Sequence, residues 1–178
     1  MHPRGAEWRL TAPAALLPSA AVRALRRGLR LDVPPDQAFA ACLALLHTAD
    51  LRRGVRVRRC DPDPPRQGGT VTSVVTARDG AERELRSRIV ELDHSGRRVA
   101  TAALGEGPSV LVRLQVEPDG QGSRVLLSSE VAGGLTPRAG LARLVDGALF
   151  GRAQRRSAAH TLRRLRELAA EAAPASIG

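Results

Sequence analysis

Residues 136–170 read TPRAGLARLVDGALFGRAQRRSAAHTLRRLRELAA, and the character of this stretch constrains the rest of the chain. After Pro137 it holds no proline, and Ala, Leu and Arg, all strong helix formers, dominate it. Thr136 suits a helix cap, and Pro137 suits the first helical position, where its missing N–H would be unbonded anyway. Leu141, Leu144, Val145, Ala148, Ala159 and Leu162 fall on one side of the wheel, and Leu165 and Ala169 continue that side with drift. The expectation is one helix of about 30 residues, roughly 45 Å long. Such a helix is long for a chain of 178 residues, and its apolar stripe needs a broad surface to cover.

That surface is written upstream as alternation. Leu25, Leu29, Leu31 and Val33 share one parity and Arg26, Arg30 and Asp32 the other, with Arg27 an exception on the apolar side; Ala24–Val33 reads as a half-buried strand. Pro34 and Pro35 stop it, because proline lacks the ladder N–H. Asp36 is expected to cap a helix in which Phe39, Cys42, Leu43 and Leu46 recur at helical spacing. From Gly54 to Val131 the texture is strands and turns: Val55 and Val57, Thr70 to Ala77, Leu85 to Ile89, Val99 to Leu104, Val110 to Val116, Arg124 to Val131. Asp79-Gly80, Ser95-Gly96 and Asp119-Gly120 are tight-turn signals, and Asp61-Pro62-Asp63-Pro64-Pro65 cannot enter a sheet interior. Short turns between alternating strands require antiparallel neighbours. Val125 and Leu126 are both apolar and leave the last strand's parity open; Leu127 is read as inward.

The predicted class is therefore α+β, a curved antiparallel sheet of about six or seven strands wrapped around the long C-terminal helix. Residues 1–21 read as a loosely ordered tail, 22–170 as one domain and 171–178 as a second tail. A curved sheet gripping one helix leaves a cavity between them, and such cavities take small ligands.

Composition removes several functions. With 43% hydrophobic residues the chain can build a core, and no run approaches the roughly 20 apolar residues of a membrane span. Cys42 and Cys60 are too few for a disulfide scaffold or a four-cysteine zinc site, so two reduced thiols in a cytoplasmic protein are expected. The net charge is +10, and apart from four histidines every basic residue is Arg. Lys, Asn and Tyr are absent, and Phe39, Phe150 and Trp8 are the only aromatics. The missing residues use A/T-rich codons, so G/C-rich coding explains the arginines without a partner. The alternative is a basic-surface module for nucleic acid or anionic membrane, built on Arg52, Arg53, Arg56, Arg58, Arg59 and the helix arginines. Nucleic acid is disfavoured, because aromatic stacking platforms are missing.

Several segments, in order, resemble the START/Bet v 1-like (SRPBCC) superfamily, and within it the polyketide cyclase/dehydratase-like proteins. Leu29-Arg30-Leu31-Asp32-Val33-Pro34-Pro35-Asp36-Gln37-Ala38-Phe39 resembles that family's opening strand, proline turn and first helix. Gly68-Gly69-Thr70-Val71 looks like its third-strand entry, and Ile89-Val90-Glu91-Leu92-Asp93 with Arg98-Val99 like its central hairpin. Gly122-Ser123-Arg124-Val125 resembles the glycine-led last strand, and Leu162-Arg163-Arg164-Leu165-Arg166 the end of the C-terminal helix. The resemblance spans roughly residues 22 to 170. It implies a helix-grip fold with a hydrophobic tunnel that binds lipids, sterols, polyketides or other apolar molecules. If the chain is an enzyme, it implies cyclisation or dehydration of a polyketide-like substrate, with Arg stabilising developing negative charge. The family's cyclases place tyrosines in the tunnel, and this chain has none.

Other chemistry finds no support. His2, His47, His94 and His160 are scattered without metal-ligand spacing, so neither a metal nor a cofactor is expected. There is no GxSxG, and Ser128 and Ser129 read as serines on a strand; no catalytic residue is assigned. At about 100° per residue from Leu141, Arg152 falls at about 20° and Arg155 at about 320°, inside the apolar stripe. Either one anchors the polar end of a ligand, or both snorkel out to solvent or to Glu130. The residues expected at the ligand cavity are Phe39, Leu114, Leu127, Arg152 and Arg155, and the expected partner is a small hydrophobic molecule.

Overall fold

β1 (Arg23–Leu31) ends just before Pro34, and α1 (Pro35–Ala44) starts with Pro35 fixing φ at its first position. The computed structural model describes residues 23–48, 55–76, 80–104, 109–132 and 141–172. A short 3-10 turn (Leu45–His47) follows α1, then β2 (Val55–Asp61), β3 (Thr70–Thr76), β4 (Glu82–Asp93), β5 (Arg98–Leu104), β6 (Ser109–Asp119) and β7 (Gly122–Ala132). The last element is α2 (Leu141–Glu171), 31 residues long. The order of elements is the expected one. The expected helix start at Thr136-Pro137, Asp79 of the turn signal, and Arg52 and Arg53 lie outside the described residues.

The strands form one antiparallel sheet in the order β1-β7-β6-β5-β4-β3-β2. Neighbours in sequence pair as hairpins, and β1 is added beyond β7, Leu29 opposite Val125 and Leu25 opposite Ser129. The β6–β7 turn carries Gly120 at φ +62°, a left-handed conformation that favours glycine. Two residues on, a Cβ at Gly122 would overlap the Leu31 carbonyl oxygen, so β1 approaches β7 where the chain has no side chain. That close approach accounts for the glycine-led entry to the last strand.

Register settles which residues face inward. Leu127 lies opposite Leu114, and Leu114 opposite Val99; in the next inward row Ser129 faces Val112 and Val112 faces Thr101. Leu127 is therefore inward, as expected. α2 packs against β1, β7 and α1, burying Ala158, Leu165 and Ala169. Gln37 of α1 donates from Nε2 to the Ala169 carbonyl oxygen at 3.0 Å, tying the end of the long helix to the short one. Ile89, Val125, Cys42 and Leu165 are fully buried in one hydrophobic core.

Asp36 corrects one expectation. It makes no cap; Pro34 holds that position without a side-chain hydrogen bond, and Asp36 sits in the first turn. Its carboxylate instead accepts a hydrogen bond from Arg97 Nε at 2.7 Å. Proline at the first helical position shifts the start of α1 two residues earlier than the Asp36 reading.

The outward face carries most of the sheet arginines, many of them paired: Arg56 with Glu82 at 2.9 Å, Arg86 with Glu84 at 2.8 Å, Arg30 with Asp119 at 3.2 Å, Arg113 with Glu91 at 3.1 Å. Exposed pairs like these stabilise by about 0–1 kcal/mol each. Of the described sheet arginines on which the basic-surface alternative was built, Arg56 and Arg59 are paired in this way, Arg59 with Asp61 at 2.8 Å.

Candidate functional site: the cavity between sheet and helix

Inward residues of β2 to β7, the end of α1 and the middle of α2 enclose a cavity of about 490 Å³. Its size is that of small-molecule sites. The sequence explains why the space stays unfilled. Ser73, Ser87, Thr101 and Ala103 stand at inward positions of the central strands, where larger side chains would fill a core. The remaining wall is aliphatic, with Val57, Val71, Val110, Val112, Leu114 and Leu127 prominent. Leu85 lines the cavity yet is 51% exposed, marking where it meets solvent beside β4.

The polar groups cluster toward α2. Gln154 donates from Nε2 to Ser129 Oγ at 3.2 Å and lies 3.5 Å from the Ser129 carbonyl oxygen. Ser157 and Thr161 also line the wall, and the Thr161 hydroxyl donates to the Ser157 carbonyl oxygen at 3.1 Å. Among the described wall residues none is charged. The single titratable group there is the Cys42 thiol, which burial pushes up to about 12, so it stays protonated at neutral pH. Among the described residues no group of His, Cys, Asp and Glu side chains could hold a metal ion.

Of the expected cavity residues, Leu114 and Leu127 are on the wall. Phe39 is buried in the core, but its ring packs edge-to-face on His94 at 5.7 Å and it is not on the wall; Cys42, one turn on, is. Arg152 and Arg155 are exposed and not on the wall. The physical reason is the phase of α2. At about 100° per residue from Leu141, Gln154, Ala158, Thr161 and Leu165 cluster near about 230°, far from the two arginines. Arg152 and Arg155 share a solvent stripe with the exposed Arg156, Arg163 and Arg166. Glu130 makes no ion pair with either of them.

Sequence reasoning missed Gln154, Thr101, Ser157, Thr161 and the cavity role of Cys42, and took Ser129 for a bland strand serine. A signal for Gln154 existed: it precedes Ala158 by one turn and Leu165 by three, so it shares the face those residues bury.

Comparisons agree with this architecture. Solved structures with the same fold include the Zhui aromatase/cyclase from a Streptomyces species, at TM-score 0.65 and 18% identity, covering 89% of this chain and 99% of that one. Ara h 8.0201 aligns at TM-score 0.59 and 15% identity over 85% of this chain and 99% of its own. The di-domain ARO/CYC StfQ of the steffimycin biosynthetic pathway aligns at TM-score 0.67 and 16% identity over 84% of this chain and 51% of its own. A search of curated proteins finds no match to the sequence. Residues 16–170 match the family described as polyketide cyclase/dehydrase and lipid transport. With its seven-stranded helix-grip fold, the chain belongs to that family, within the Bet v 1-like SRPBCC proteins.

Proposed function

We propose that this protein binds a neutral, largely apolar small molecule, of lipid or polyketide-like character, in the cavity between sheet and α2. The observation that carries this reading is the wall itself: aliphatic side chains, a few hydroxyls and one amide, with no charged group among the described residues. Ring closure or dehydration calls for a proton donor and acceptor tuned near the working pH. The described wall offers only hydroxyls, an amide and a thiol held protonated, which favours binding over catalysis. The free thiols of Cys42 and Cys60 support a reducing, cytoplasmic setting.

Native mass spectrometry of protein purified from its own host tests the proposal. The expected result is a retained hydrophobic adduct, kept in an Arg152→Ala variant because Arg152 faces solvent. Consistent absence of an adduct, with no thermal shift from a panel of lipids and polyketides, would overturn it. Turnover of a polyketide-like substrate would restore the cyclase reading.

A further inference from the structure

We infer that Gln154 and Ser129 form a polar anchor inside the cavity that selects ligands ending in an uncharged hydroxyl or carbonyl over ligands ending in a carboxylate. The inference rests on the cavity-binding reading and names its ligand class. Ser129 is 7% exposed, and its backbone carbonyl can only accept hydrogen bonds. Gln154 therefore turns its Nε2 toward Ser129, with contacts of 3.2 Å to Oγ and 3.5 Å to the carbonyl oxygen. That orientation leaves the Gln154 Oε1 with no partner among the described residues. It also leaves the Ser129 hydroxyl, already an acceptor, with its own proton to donate.

The anchor thus presents one acceptor and one donor on a largely aliphatic wall. A ligand hydroxyl donates to Gln154 Oε1, and a ligand carbonyl accepts from the Ser129 hydroxyl. Thr101 shares the Ser129 row across Val112, and Ser157 follows Gln154 by one turn, so further hydroxyls flank the same spot. A carboxylate finds no cation on the described wall and loses its hydration without a compensating charge. Gln154 is half-buried, and a ligand hydroxyl at its Oε1 adds a hydrogen bond that no described residue makes.

Competition against the neutral apolar dye Nile red, using the full chain at about pH 8, tests this with two probes of equal chain length, 1-decanol and decanoate. The expected result is displacement of the dye by 1-decanol at concentrations at least tenfold below those needed with decanoate. Gln154→Leu, similar in volume, is expected to keep the dye site and to weaken 1-decanol by roughly fivefold, as for one net hydrogen bond lost. Ser129→Ala is expected to weaken it in the same direction. Equal binding of the two probes, or an unchanged preference in both variants, overturns the anchor and leaves the cavity reading standing. Failure of the wild-type protein to bind dye and both probes overturns the cavity reading, and the anchor with it.

Discussion

Asp93 gathers three hydrogen bonds at the β4–β5 turn: from the Gly96 backbone N–H at 2.8 Å, the Ser95 hydroxyl at 2.7 Å and Arg98 Nη2 at 2.7 Å. The Gly96 N–H first, then Ser95 and Arg98, hold its carboxyl well below the usual carboxylate range. A depressed folded value means the ionised form favours the native state. The contribution is complete above the ordinary aspartate value of about 4 and fades as pH falls below it. Urea midpoints measured from about pH 7 to about pH 2.5 should fall less steeply in Asp93→Asn than in wild type, from a lower starting point; parallel curves would refute this. This site was legible in outline, because Asp-x-x-Gly places acceptor and turn within four residues. Gln154 was not, since its partner Ser129 is 25 residues away and the pair exists only once α2 lies on β7.

At the scale of the element, α2 shows why a helical wheel alone misleads. Its length and apolar content were readable from residues 136–170, and the helix forms. Its phase was not, because Leu141, Leu144 and Ala148 define one stripe and Ala158, Leu165 and Ala169 another. Only packing against the sheet selects the second over the described turns. Leu165 has 0% exposure, so Leu165→Ala should destabilise by about 3 kcal/mol in chemical denaturation. Exposed Arg166→Ala, one residue on, should change stability by less than about 0.5 kcal/mol. Similar costs at the two positions would refute the phase assigned to the helix. Strands were read more securely than this helix, because a period of two leaves only two phases and Val110, Val112 and Leu114 agree on one.

Over the whole molecule, the sheet and α2 close around a space that no single element encloses, and Cys42 reports on that closure. Its thiol is fully buried and its pKa lies at about 12, so at about pH 8 its thiolate population is on the order of 10³-fold below that of an unfolded cysteine. Alkylation of native Cys42 should track global opening and slow further when a cavity ligand is added; rapid labelling of the folded protein would refute this. The raised value also carries a sign: the stabilisation from keeping this thiol neutral is complete below about pH 8.5 and is lost as pH rises toward 12. What the sequence alone determined was the order and type of the elements, because alternation, prolines, turn glycines and a long proline-free run act through local backbone physics. The inward parity of Leu114 followed from the same source. What only the tertiary structure decided was which side of α2 meets the sheet, and hence that Gln154 rather than Arg152 or Arg155 borders the cavity. Burial belongs to pairs of surfaces, and a single strand or helix does not carry the shape of its partner.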